Sequence, residues 1–475
     1  MATKKVLNTK SDAELLSYAI NSNPILSAEL DLPVQGESIA PYGKLIMSNQ
    51  RYKNAFLNVC NLIGLTIIKR NAWADPWDFT ERGTIRFGQS VRELIADLVE
   101  AHDYNAMAET PEKVLDNYVP NVYEYIHEVN FQKFYATTVS DAQMAMAFTE
   151  EGALYDFIEE LVRMNYESYV YDRYQLNKYM LAKRIIDGTV TPSYIADYAT
   201  LTERERVAKM KSVSNKMSFR SPNYNPAGIR KATSFDNQIL IMSTDFEADF
   251  STSVMATSFF RDEADFRARL RLCDGFGNID EDRLREVLGS DYEEFGEGEL
   301  TALNSIPAVL ISNEWFMDYV YSFDTESGLK ETDFYNPMTL RNTSFLHAWL
   351  VFSTSPFENA TVFTATAPNV TALAVSPASA TVIEGQTVKL SAVATTTGYA
   401  NPSVTWSVAD EDADYIEVKA DGTVIAKEAK VVGDSKSTKA DPDPEPTYTA
   451  FTVTATSVFK SSVTDTASIT IIPKA

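Results

Sequence analysis

The apolar and polar positions change period several times along the chain. Between Glu150 and Asp187 there is no proline and only one glycine, Gly152. Leu154, Phe157, Ile158, Leu161 and Val162 fall at the i, i+3, i+4, i+7, i+8 spacing of one helix face. Tyr169, Leu176, Tyr179 and Met180 continue that face less regularly. Thr149 is the candidate N-cap, Glu150 and Glu151 suit the first turn, and Gly188 is the stop. About 37 residues at a rise of ~1.5 Å make a rod of roughly 55 Å, long enough to act as a spine.

On either side of this helix the period is two. Tyr123, Tyr125, His127, Val129 and Phe131 alternate with Glu124, Glu128 and Asn130, a long strand signal. Leu65 to Lys69 and Thr84 to Phe87 read as strands around a Trp-rich turn region, Trp73 to Gly83. After the helix, Val207, Met210, Val213 and Met217 mark a second helix. Gln238 to Met242, Pro307 to Ile311, Phe345 to Phe352 and Thr361 to Thr364 are short apolar strands. Val91, Leu94, Ile95, Leu98 and Val99 carry helical spacing, which favours a helix there on periodicity alone. The order of elements is α+β.

Past residue 368 the pattern becomes uniform. Val388, Leu390 and Ala392, then Val404, Trp406 and Val408, then Phe451, Val453 and Ala455 alternate with Thr, Ser and Lys, and Ile469 and Ile471 close the series. Glu384-Gly385, Asn401-Pro402 and Asp421-Gly422 are turn signals between them. Several short strands at this spacing predict a β sandwich. With no cysteine pair to staple it, Trp406 is the expected core anchor. Ala367-Pro368-Asn369 is the linker, and the two parts are expected to fold autonomously, so that a chain ending near Thr366 keeps its fold. Asp441 to Pro446 alternates proline with acid and cannot form a ladder strand, since proline lacks the donor N–H.

Composition sharpens this division. All three His, both Cys and all 13 Met precede residue 371, and only 6 of the 54 aromatics follow it. Thr371–Ala475 holds 8 basic and 13 acidic residues, so it carries −5 of the net −24 and the first 370 residues carry −19. Such acidity disfavours a cationic nucleic-acid binder. Two cysteines exclude a disulfide scaffold. The first twenty residues lack the apolar stretch of a signal peptide, and the most apolar run, Leu62 to Ile68, is too short to span a bilayer. These features predict a protein made in a cytoplasm, with no membrane partner.

Candidate chemistry is sparse. His102, His127 and His347 stand in no HExxH arrangement, and there is no CxxC pair, so no metal site or cofactor is expected. His127 and His347 read as strand histidines among aromatics, and Cys60 as a small buried hydrophobe. Cys273 precedes Asp274, whose charge opposes thiolate formation. Asp274-Gly275-Phe276-Gly277-Asn278 fails as a calcium loop, because Phe276 and Arg285 fall where carboxylates are required, and reads as a solvated turn. No catalytic constellation is present, and the chain is not expected to be an enzyme.

Two resemblances follow from particular residues. Val375-Ser376-Pro377, Gly385, Val404-Thr405-Trp406-Ser407, Asp421-Gly422-Thr423-Val424 and Val453-Thr454-Ala455-Thr456 resemble the group 2 bacterial immunoglobulin-like domain. Ile63-Gly64-Leu65, Val119-Pro120-Asn121-Val122 with His127-Glu128, Phe134-Tyr135, Ala308 to Ile311 with Trp315-Phe316-Met317, and His347-Ala348-Trp349 with Phe357 to Ala360 resemble the major capsid proteins of small podoviruses with protein-primed DNA replication. That resemblance implies the Hong Kong 97 type capsid fold. It assigns 1–62 to an N-terminal arm, 63–100 to an extended loop and 101–195 to a peripheral domain with its spine helix at 150–187. It gives 196–335 to an axial domain, 336–367 to return strands of the peripheral domain and 368–475 to the immunoglobulin-like domain. It also implies that residues Val91 to Val99 form a strand on the returning arm of the extended loop, against their helical spacing. The acidic stretch 260–300 exceeds what the axial domain of that fold needs.

By resemblance, the chain is a major head protein. It assembles with itself as hexamers and pentamers into an icosahedral or prolate virion capsid, aided by a separate scaffolding protein and a portal protein, around packaged double-stranded DNA. Trp73, Trp77 and Arg82 are the expected assembly contacts, on a segment 72–83 that is loosely packed in the free subunit. Lys69 is the one lysine near the extended loop, and an isopeptide crosslink there is not expected. The tail is expected on the outer face, where it strengthens contacts between capsomers or offers a host-facing surface. The competing reading, a bacterial surface adhesin or glycan-binding protein, rests on the immunoglobulin-like tail alone.

Overall fold

The computed structural model describes residues 12–28, 30–32, 39–56, 73, 75–86, 90–99, 101, 119–141, 145, 153–253, 269–322, 329–431 and 448–474. Short helices at Asp12–Ser22 and Ala40–Ser48 lead in. In chain order there follow β1 (Glu81–Arg86), β2 (Val91–Ala96), β3 (Val122–His127), β4 (Phe131–Ser140) and the long helix α1 (Ala153–Ile186). Next come β5 (Thr191–Tyr194), α2 (Glu203–Met217), β6 (Gln238–Ser243), β7 (Leu270–Cys273), α3 (Glu281–Leu288) and α4 (Glu299–Asn304). Strands β8 (Ala308–Ser312), β9 (Phe316–Ser322), β10 (Lys330–Asn336), β11 (Arg341–Thr354) and β12 (Ala360–Thr364) complete the part before the tail. The tail adds β13 (Asn369–Ser376), β14 (Ser379–Ile383), β15 (Thr387–Lys389), β16 (Ser391–Thr397), β17 (Val404–Val408), β18 (Ile416–Val418), β19 (Thr423–Ala426), β20 (Ala450–Ser457) and β21 (Thr464–Ile472).

The chain divides into two compact units. The first comprises Met1–Tyr179, Ile279–Glu294 and Phe316–Ser355; the second comprises Met180–Asn278, Phe295–Trp315 and Pro356–Ala475. These limits differ from the boundaries the sequence suggested. Residues 279–294 and 316–335, expected in the axial domain, cluster with the first unit, and 356–367 cluster with the second.

The first unit is organised by β11. It pairs antiparallel with β4 over ten positions, from Phe131↔Leu350 to Ser140↔Arg341, and along its other edge with β10 and then β9. Its alternation puts Leu346, Ala348 and Leu350 on the face that meets Tyr169 and Leu176 of α1 and Leu284 and Val287 of α3. Helix α3 explains part of the acidic stretch: it is an amphipathic helix packed on α1, pinned by Nε and Nη2 of Arg283, which donate to the buried carboxylate of Asp172 at 2.8 and 2.9 Å. The single strand expected from Tyr123 to Phe131 is two strands, β3 and β4. Between them the Asn130 amide accepts from the Phe352 N–H at 2.8 Å and donates to the Phe352 carbonyl at 2.7 Å, replacing a ladder rung with a side chain. Residues 65–69 lie outside the described residues.

In the second unit a mixed sheet runs β5-β12-β8-β6-β7. Every residue of β6, β8 and β12 is buried, the signature of a strand covered on both faces. Val207, Met210 and Met217 of α2 pack against Leu240, Met242, Leu310 and Phe363. A capping box starts α2, with the Glu205 carboxylate accepting from the Thr202 N–H at 2.9 Å and from its hydroxyl at 2.8 Å. Helix α1 stops at the predicted glycine: Gly188 is left-handed, and the Thr189 N–H reaches back to the Arg184 carbonyl at 3.0 Å.

The tail is all-β, with sheets β14-β21-β20-β17, β15-β19-β18 and β13-β16. Its centre is filled by Phe451, Val453, Ile469, Ile471, Leu390, Ile416 and Val424. Trp406, expected as the anchor, is only half-buried and packs against the rim of that cluster, its ring beside Gly422. Strand β17 is an edge strand, so its inward positions are covered from one side less than those of β20 and β21. The expected loop 441–446 lies outside the described residues. The tail has its own core, yet it clusters with the rest of the second unit and not apart from it. No described helix is long and apolar enough to cross a membrane.

Candidate assembly surface

Strands β2 and β3 form a two-stranded antiparallel ribbon in perfect register, from Val91↔His127 to Ala96↔Val122. Strand wins over the helical spacing here because Val91, Leu94 and Ile95 find a cross-strand partner at every step. Among the described residues neither strand pairs with any other sheet. Val91–Ala96 is thus one strand of the ribbon, and Val122–His127, beyond the expected end of the extended loop at residue 100, is the other.

The two faces of the ribbon differ. One face carries Val91, Glu93, Ile95, Tyr123, Tyr125 and His127. At its foot Val91 joins Ile85, Tyr321 and Val351, and the buried His127 meets Glu93 Oε2 through Nε2 at 3.0 Å, with the Tyr125 ring edge-on at 4.9 Å. The opposite face carries Arg92, Leu94, Ala96, Val122, Glu124 and Ile126, and all six are exposed. Leu94 is 67% exposed. Beyond the register, Leu98, Val99 and Val119 are exposed as well, Val119 at 82%. The only polar relief on this face is the pair Arg92–Glu124 at 3.6 Å. An isolated two-stranded ribbon is marginal in water, and an apolar outer face makes it a surface that gains by being covered. The sequence pointed to the loop but not to the exposure of Leu94, Val122 and Ile126, which the alternation gives once the pairing register is known.

The segment before β1 is different from what the sequence suggested. Trp77 is 0% exposed, packed among Phe79, Tyr174 and Phe316 at centroid distances of 5.7–6.3 Å. It is a core residue of the free subunit, and the expectation of a loosely held Trp77 is corrected: the 3-10 turn Asp78–Thr80 folds the ring inward against α1 and β9. Trp73 is 49% exposed, with its ring edge-on to Tyr174 at 5.4 Å. Arg82 is half-buried, and its Nε has no hydrogen-bond partner among the described residues.

Beneath Trp77 lies a buried polar cluster. Arg173 of α1 donates from Nε to Asp318 Oδ2 at 2.8 Å and from Nη1 to Glu81 at 2.6 Å. Asn177 donates to Thr80 Oγ1 at 3.0 Å. Asp318 and Asn177 are fully buried. Asp75 accepts from the Trp77 N–H at 2.7 Å, yet burial pushes its carboxyl up to about 6 against that bond and the Arg173 charge. This cluster ties the segment before the ribbon to the long helix, and nothing in the apolar pattern announced it.

The remaining candidates stay apart. His347 meets Thr332 Oγ1 at 2.9 Å on the outer face of the main sheet, beside Phe134 and Phe345. Cys273 is buried at the end of β7. In the turn 274–278 Phe276 is buried, so the turn is anchored as well as solvated. His102, Cys60 and Lys69 lie outside the described residues. No cluster of three or more metal-ligating side chains occurs among the described residues.

Residues 31–364 match the model of the Phi29-like phage major capsid protein, and 369–435 match the bacterial Ig-like domain (group 2). The chain is 28% identical over 401 residues to the major capsid protein of Bacillus phage B103, covering 82% of each chain. It is 26% identical over 371 residues to that of Bacillus phage GA-1, covering 76% of this chain and 71% of the relative. Among solved structures it is similar to the capsid structure of Staphylococcus phage Andhra, with 13% identity, 62% of this chain and 84% of that chain covered, and a TM-score of 0.48. The chain belongs to the Phi29-like phage major capsid protein family, is the major capsid protein of a tailed bacteriophage, and carries a group 2 bacterial immunoglobulin-like domain at its C-terminal end.

Proposed function

We propose that the β2–β3 ribbon is the principal mating surface by which each subunit covers its neighbour in the shell. The observation that carries this reading is the outer face of Leu94, Ala96, Val122 and Ile126, apolar and uncovered in the single chain. Repeated by symmetry, one such contact per subunit closes hexamers and pentamers into an icosahedral or prolate head. Trp73 and Arg82, at the ribbon's approach, are secondary contacts. The function is packing without turnover: the chain is not an enzyme, and no cofactor enters it.

The further partners follow the same reading. A separate scaffolding protein guides assembly, a portal protein occupies one vertex, and double-stranded DNA lies within the shell by proximity only, since a net −24 subunit repels phosphate. The subunit is made in the host bacterial cytoplasm. The immunoglobulin-like domain sits on the outer face of the shell, where it does not compete with DNA for volume, and reinforces contacts between capsomers. Co-expression with the scaffolding protein tests the central step. Leu94→Asp with Ile126→Asp is expected to leave the subunit soluble and helical by circular dichroism while shells vanish from electron micrographs. Shells at normal yield contradict it.

A further inference from the structure

The linker before the tail is short, but a second connection lies elsewhere. The turn between β16 and β17 touches the end of α1. At Gly188 an added Cβ would lie 2.5 Å from Asn401 Cα and 2.8 Å from Asn401 N, so the two backbones meet with no room for a side chain. At Gly398 an added Cβ would lie 2.5 Å from the Thr366 carbonyl oxygen. Thr397 donates its hydroxyl to the Ala367 carbonyl at 3.3 Å. Ala400, on a surface turn of the tail, is fully buried. Tyr399 is held left-handed at φ 61°, an uncommon state for a residue with a Cβ, and its half-buried phenol lies beside Ser305 at the end of α4. Burial there pushes the phenol up to about 12.

We infer that Thr397–Asn401 is a seat that locks the immunoglobulin-like domain onto the C-terminal end of the long helix and the end of α4. The domain is therefore carried rigidly and presented in one orientation by every copy. Gly188 serves twice. It ends the helix in the left-handed conformation, and it leaves the space that Asn401 fills. Residues strained in this way persist only where surrounding contacts over-determine them, and here those contacts come from outside the sandwich. The inference stands on the second unit alone and does not depend on how subunits mate.

Amide exchange in the full-length subunit tests it. Gly188→Ala introduces the clash together with backbone strain. Gly228→Ala is the control, because Gly228 has nearly the same φ, 65°, and nothing within 4 Å of an added Cβ. The expected result is faster exchange across residues 397–401 in Gly188→Ala and no change there in Gly228→Ala, with residues 451–456 and 467–471 of the tail core protected in both. Should Gly188→Ala not fold, Ala400→Arg, made on the tail side, carries the same expectation. Unchanged exchange at 397–401 in the clashing variant overturns the seat, as does an equal increase in Gly228→Ala. Loss of protection across the tail core together with the turn also overturns it, since the turn would then be part of the sandwich's own fold.

Discussion

Trp77 and Leu94 stand seventeen positions apart on the same approach to the ribbon, and their fates are opposite. Trp77 is enclosed by Phe79, Tyr174 and Phe316, whereas Leu94 faces water from a ribbon with no second layer. A large aromatic invites the guess that it is an interface anchor, since anchors are rich in Trp. What decides is whether the chain's own elements can reach it. The turn 78–80 delivers Trp77 to α1 and β9, and no described element of the chain lies over the outer face of β2 and β3. The proposed contact therefore rests on the uncovered aliphatic face and not on the buried aromatic.

Substituting on either side of this comparison should give separable failures. Trp77→Ala is expected to have the largest effect on the free subunit, about 3–5 kcal/mol in urea unfolding, because a fully buried Trp leaves a cavity. Loss of assembly with unchanged subunit stability would instead return Trp77 to the interface. Arg173→Met, which strips Asp318 and Glu81 of their cation, is expected to cost a similar ~3–5 kcal/mol, since it leaves a buried carboxylate unpaired. A subunit as stable as the parent would show that the cluster is hydrated and contributes little. Trp406→Ala should cost less, about 1–2 kcal/mol, with the tail still folded, because truncation cost follows burial. Complete unfolding of the tail would place the ring at the centre of its core.

A further effect is a pH dependence. Asp75 titrates near 6 in the folded subunit and near 3.8 when unfolded, so between these values the folded state holds the extra proton. The stability due to this group is fully present below pH 3.8 and is lost as pH rises through 6. Asp75→Asn should flatten that part of the stability profile between about pH 4 and 6. A profile identical to the parent's would show that Asp75 is not the titrating group.

The regular elements were legible where a helical spacing or a short unbroken apolar run marked them in the sequence. The α1 helix, its stop at Gly188, α2 and strands β6, β8 and β12 all sit where spacing put them. Two kinds of feature were not. Residues 91–96 carry helical spacing but pair as a strand, because register with residues 122–127 is a property of two segments and not of one. The polar cluster of Arg173, Asp318, Glu81 and Asn177 joins residues up to 237 positions apart, which no local pattern encodes. The proposed contact surface was legible only as a region, since the resemblance named the loop, and its exposed residues emerged when alternation and pairing were combined. The same holds for Gly188, whose role as a helix stop was readable and whose contact with Asn401 was not.

Hydroxyl-radical footprinting of the free subunit and of the purified shell puts the comparison to its most direct test. The ribbon reading predicts strong labelling of Leu94 and Ile126 in the free subunit that falls to background in the shell, with Trp77 unlabelled in both. Equal labelling of Leu94 and Ile126 in the two states would contradict it.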